Sequence, residues 1–147
     1  MIDELERKIV RAMNQNARRS FREIAKEVGT SATAVINKVK KLENSGVIRG
    51  YVPVVDPEFF GLDLTAIIAL RISKGKLLET QQRISEDGRV IAVYDITGEW
   101  DSLVIGRFKG RDDLNDFIKG ILSLPYVDRT VTHIVLNVVK EESRILL

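Results

Sequence analysis

Apolar residues recur every three or four positions through the first third of the chain and in short continuous or alternating runs after it. Leu5, Ile9 and Met13 make one stripe, which predicts a helix from Asp3 to about Asn14, capped by Asp3 with Glu6 three residues on. Ser20 and Glu23 form the same pairing before Phe21, Ile24, Ala25 and Val28, and Gly29 predicts the stop of that second helix. Thr30 and Ser31 then cap a third helix from about Ala32 to Ser45, with Val35, Val39 and Leu42 inward and Gly46 as its end. Residues 48–55 are rich in Val and Ile but contain Pro53, which predicts an edge strand or a connecting ribbon.

From Leu64 the texture changes. Strands are expected at 64–73, 89–97, 102–108 and 131–139, and helices at 77–87 and 112–122. The order β-α-β-β-α-β is ferredoxin-like. The fold class is therefore α+β: a three-helix, helix-turn-helix (winged) domain at residues 1–50, a ribbon or hinge at 51–61, and a ferredoxin-like domain at 62–147.

Charge sharpens this division. The net charge of +2 divides into +4 over residues 1–56, with 11 Lys and Arg against 7 Asp and Glu, and −2 over the remainder. A basic helical half beside a mildly acidic half suits one part that meets a polyanion and one that does not. The chain has no Cys, which excludes disulfides and thiolate metal sites and points to a reducing cytoplasm. Its opening is acidic and amphipathic, unlike a secretion signal, and no apolar run has the length of a membrane span.

A helix laid in the major groove of DNA needs cations for phosphates and short polar groups for base edges. The third helix offers Ser31, Thr33 and Asn37 near its leading end. Lys38 and Lys41, with Arg18, Arg19 and Arg22 nearby in sequence, are candidate phosphate partners. The same pattern also describes a three-helix bundle with an ordinary solvated face. Catalytic chemistry has little to work with: His133 is the single His, no metal-ligand spacing occurs, and no phosphate loop or nucleophile elbow appears. An enzyme is not expected, and neither is a cofactor. The stretch Thr97-Gly98-Glu99-Trp100-Asp101 holds the chain's one Trp. It reads either as a hairpin turn whose Trp packs on the sheet, or as a turn whose amides and carboxylates hold a zwitterion.

Several linked motifs resemble the leucine-responsive regulator/asparagine-synthesis regulator (Lrp/AsnC, feast/famine) family. They are Asp3 with Ile9, residues 17–20 (Ala-Arg-Arg-Ser), Glu23-Ile24-Ala25, Val28-Gly29, Ser31, residues 39–51 and Gly98-Glu99-Trp100-Asp101. The resemblance implies a transcriptional regulator that binds double-stranded DNA, with a C-terminal domain for an amino-acid effector. It implies homodimers associating into tetramers or octamers, with the effector held between neighbouring dimers. It places the effector site at Thr97, Gly98, Glu99, Trp100 and Asp101 with Thr130 and Thr132. The family's commoner Gly-Asp-Phe/Tyr-Asp is replaced here by Glu99 and Trp100, which reshapes that pocket. An architectural DNA-packaging protein without effector, or an enzyme like the haem-pathway decarboxylases, are the alternatives within reach of the same architecture.

Overall fold

The computed structural model describes residues 1–145. It contains two compact units. The first holds residues 1–54 together with the described residues from Lys140 onward, and the second holds Val55–Val139.

In the first unit, α1 (Glu4–Gln15), α2 (Phe21–Val28) and α3 (Ala32–Asn44) pack around Ile9, Ala12, Met13, Ile24, Ala25, Val35 and Val39. Both capping boxes form. Asp3 accepts the Glu6 amide at 2.8 Å while the Glu6 carboxylate accepts the Asp3 amide at 2.8 Å. Ser20 and Glu23 do the same at 3.2 and 2.7 Å. Each box satisfies two backbone N–H groups that a helix start otherwise leaves without partners. Gly29 takes φ +74°, the left-handed region where a side chain would strain, and so turns α2 into α3. Residues 48–56 form no strand, so the wing expected from the sequence is absent from the described fold of the single chain. The Tyr51 hydroxyl instead donates to Glu43 at 2.9 Å.

Residues from Lys140 onward depart from the sequence-based boundary, which gave them to the second domain. They pack with α1: the Arg144 guanidinium donates to the Asn14 carbonyl at 3.2 Å, and the Asn14 amide donates to the Ile145 carbonyl at 2.9 Å. Side-chain bonds to backbone carbonyls hold this tail, and no hydrophobic period announces it.

The second unit is a four-stranded antiparallel sheet in the order β2-β3-β1-β4. Its strands are β1 (Leu64–Ile72), β2 (Val90–Asp95), β3 (Ser102–Phe108) and β4 (Val127–Ile134). Helices α4 (Leu77–Ser85) and α5 (Arg111–Leu122) complete the ferredoxin-like order. Ala66, Ile68, Leu70, Val104 and Phe108 from the sheet meet Ile84, Leu114, Phe117 and Ile121 from the helices in one core. Gly106 lies beneath the Phe108 ring, where an added Cβ would stand 2.7 Å from a ring carbon. Arg89 ties the start of β2 to α5, donating to Asp87, Asp113 and Asp116 at 2.7–3.0 Å with its guanidinium over Phe117.

The last strand is displaced from the expected 131–139. It begins at Val127 and its ladder ends where Ala66 pairs with Ile134. The apolar run after it, through Val139, adds one further backbone bond, from the Val135 amide to the Thr65 carbonyl.

Candidate functional site

Helix α3 presents its outer face to solvent. Ser31 caps it, its hydroxyl accepting the Ala34 amide at 3.1 Å, so this side chain is already committed to the helix start. Thr33, Asn37 and Lys40 are exposed and follow at intervals of four and three residues, which places them on one face. None of the three has a hydrogen bond or ion pair from its side chain to any described residue. Arg18, in the turn after α1, is also exposed. Arg19 is not: its guanidinium is paired with Glu27 at 2.5 Å.

Lys38 and Lys41 stand differently from the expectation that they meet phosphate. The Lys41 ammonium donates to Glu6 at 2.7 Å, and the Lys38 ammonium contacts both Glu6, at 3.3 Å, and Asp3. Glu6 is 1% exposed. Residues 38 and 41 are three apart, on the flank of α3 turned toward α1, so their charges close the bundle. Lys38 is thereby a structural cation. Lys41, with its side chain 62% exposed, keeps its outer edge in water.

The turn between β2 and β3 is fixed from below. The Asp101 amide donates to the Leu70 carbonyl at 2.9 Å, and the Asp101 carboxylate accepts the Ile72 amide at 2.8 Å. Gly98 has φ +109°, which lets the turn fold back tightly. Asp101 therefore holds the turn in place, while Thr97, Gly98 and Glu99 are exposed and Trp100 is half-buried. Arg129 lies over the indole of Trp100, 4.6 Å from the ring centre, and donates to Glu99 at 3.3 Å. Thr130 and Thr132 pair with Leu70 and Ile68, so both project from the helix-covered face of the sheet; Arg129 projects from the other. Among the described residues no hydrogen bond joins either Thr side chain to the turn. The chain thus brings Glu99 and Trp100 together with Arg129, and leaves the two threonines apart from them.

Both halves of the chain have counterparts among known proteins. Residues 2–43 match the AsnC-type helix-turn-helix domain, and residues 65–145 match the Lrp/AsnC ligand binding domain. An uncharacterized HTH-type transcriptional regulator of Pyrococcus abyssi is 46% identical over 145 residues, covering 99% of each chain. The chain belongs to the Lrp/AsnC family of transcriptional regulators. The solved structure of Escherichia coli AsnC is similar to it with a TM-score of 0.90 at 26% identity, covering 98% of each chain. A transcriptional regulator of Neisseria meningitidis, solved in complex with L-Met, is similar with a TM-score of 0.90 at 25% identity, covering 99% of this chain and 97% of that one. No described helix of this Lrp/AsnC regulator is long and apolar enough to cross a membrane.

Sequence reasoning missed three residues in this regulator. Glu6 was visible only as half of a capping box, because its partners lie 32 and 35 residues away. Lys40 reads from the sequence as nearer the edge of the helix, although its spacing from Thr33 and Asn37 is the signal that places it on their face. Arg129 gave no signal, since strand pairing alone brings it to Trp100.

The α1–α3 charge network also sets an acid limit. Hydrogen bonding to Lys41 and to the Asp3 amide holds the Glu6 carboxyl below its usual range. Lys38 and the Glu6 amide hold Asp3 down in the same way. A carboxyl depressed in the folded state stabilises fully above its unfolded value, and that contribution is lost as pH falls through the folded value. The first unit is expected to keep its full stability at neutral pH and lose it progressively below the ordinary carboxylate range near pH 4. Glu6→Gln should flatten that acid limb in circular-dichroism melts taken across pH. An acid limb identical to wild type would remove Glu6 from the cause.

Proposed function

We propose that this regulator binds duplex DNA sequence-specifically, with α3 in the major groove, and that an amino acid held at the Thr97–Asp101 turn modulates its assembly or DNA binding. The observation that carries the DNA reading is the open face of α3, where Thr33, Asn37 and Lys40 are exposed without partners among the described residues. Asn37 can bond adenine bidentately, Thr33 can offer its methyl to thymine, and Lys40 and Arg18 supply charge for phosphates. Lys41 adds charge at the edge of this face while holding Glu6.

The open face of the sheet supports a homodimer. Ile67, Ala69, Leu103, Ile105 and Val131 alternate with the core residues and line the face away from the helices. A second copy would cover this apolar surface, and further association gives a tetramer or octamer. A two-fold dimer would then offer two recognition helices to half-sites about 34–36 Å apart. The Neisseria meningitidis complex with L-Met supports an amino acid as the effector class. Such an effector can shift assembly only by its differential affinity, typically ~1–3 kcal/mol.

Asn37→Ala is the direct test of base reading. It should cost ~1–3 kcal/mol of discrimination at one base position while leaving the affinity for unrelated duplexes nearly unchanged. Competition binding against a panel of single-base operator variants measures this. Equal losses on every duplex would assign Asn37 to the backbone and not to a base.

A further inference from the structure

Arg71 and Arg129 face each other directly across the β1–β4 ladder, at the end of the sheet beside the Trp100 turn. Like charges opposite one another on a sheet face are destabilising. The nearby Asp101 and Asp128 carboxylates keep their charge but make no direct ion pair with either guanidinium among the described residues. The Asp101 carboxylate is turned onto the Ile72 amide, and the Asp128 carboxylate accepts the Ser73 hydroxyl at 2.8 Å. Among the described residues the one acid that pairs with Arg129 is Glu99, through a 3.3 Å contact between side chains that are 67% and 64% exposed. Arg71 is exposed and has no hydrogen bond or ion pair among the described residues. Arg71 is thus left without a direct carboxylate partner, beside Arg129 and the half-buried Trp100.

We propose that Arg129 and Arg71 make the effector turn selective for an amino acid with a second carboxylate, and that Glu99 occupies Arg129 until such a ligand displaces it. The proposal rests on the reading that the turn holds an effector. A guanidinium fork matches a carboxylate bidentately, and Arg129, pinned over the indole, is oriented in advance for that contact. The second carboxylate of the ligand then meets Arg71. Glu99, released from Arg129, becomes the acceptor for the ligand ammonium. A dicarboxylic amino acid offers one carboxylate to each of the two guanidiniums. A neutral one leaves Arg71 unsatisfied, and a basic one is repelled.

The test is calorimetry on the full chain with L-glutamate, L-glutamine, L-methionine and L-lysine, read in parallel by the fluorescence of Trp100. L-Glutamate should bind on the order of tenfold tighter than its neutral isostere L-glutamine, and this preference should weaken as salt is added. Arg129→Gln should abolish the preference, Arg129→Lys should keep part of it, and Arg71→Gln should reduce it. All three should stay folded, since these side chains are exposed in the single chain and two of the changes remove one of a pair of facing like charges. Equal binding of L-glutamine and L-glutamate, or an undiminished preference in Arg129→Gln, would overturn the proposal while leaving an effector at the turn. Failure of every amino acid to bind would remove the effector reading itself, and this inference with it.

Discussion

Ile24→Ala is expected to cost about 2–5 kcal/mol and to unfold much of the DNA-binding unit. Ile24 is 0% exposed and lies in the cluster that also holds Ile9, Val35 and Val39, one contribution from each helix at least. A unit this small buries too little apolar surface to absorb such a loss, since small domains fold with only a few kcal/mol in hand. The removed methylenes leave a cavity between α2 and its neighbours, so α3 loses the support that sets its angle. Duplex binding should therefore fail, while Trp100 fluorescence, which reports on the second unit with its own core, should stay near wild type. Ile24→Val, which removes one methylene, should cost only ~0.5–1.5 kcal/mol and retain binding. A denaturation curve for Ile24→Ala that overlaid wild type would show that this cluster does not hold the helices together.

Phe108→Ala is the counterpart in the second unit, with an expected cost of about 3–5 kcal/mol. Its ring is fully buried, 5.2 Å from the Phe117 ring at an interplanar angle of 50°, and it covers the backbone of Gly106. No neighbour can refill that space, because the floor is a glycine. The converse change, Gly106→Ala, should also destabilise, by ~1–3 kcal/mol, because its Cβ would sit 2.7 Å from the ring and 3.2 Å from the Arg89 carbonyl. Urea unfolding followed by far-UV circular dichroism measures both. Size-exclusion chromatography should show a loss of assembly for Phe108→Ala, since the sheet whose open face would be the dimer surface is the element it weakens.

The parts of this regulator that were legible in its sequence are those set by local chemistry. Asp3 with Glu6 and Ser20 with Glu23 announced two helix starts, and Gly29 announced the turn, because each signal lies within one helical turn of its effect. The ferredoxin-like order was legible from the alternation of strand and helix patterns. The limits of β4 were not. Val127–Arg129 carries two adjacent charges and hides a strand start, whereas the Val-rich run to Val139 imitates a strand without an extended ladder to join. Electrostatic partners across the fold were equally hidden. The commitment of Lys38 to Glu6 and Asp3 depends on how α1 lies against α3, and no spacing along the chain encodes that. In the turn between β2 and β3 the motif residues were visible, but the separation of Thr130 and Thr132 from Arg129 follows from the period of two along β4 and needed the register to be known.

The outward face of α3 is the surface expected to meet DNA. The most direct measurement of that contact is the affinity of the full chain for a labelled duplex titrated between about 50 and 200 mM salt, for wild type and for Lys40→Ala. The expected result is an affinity that falls linearly with salt on logarithmic axes, with a slope reduced by about one in Lys40→Ala. Absence of duplex binding at the lowest salt, or a slope that Lys40→Ala leaves unchanged, would contradict it.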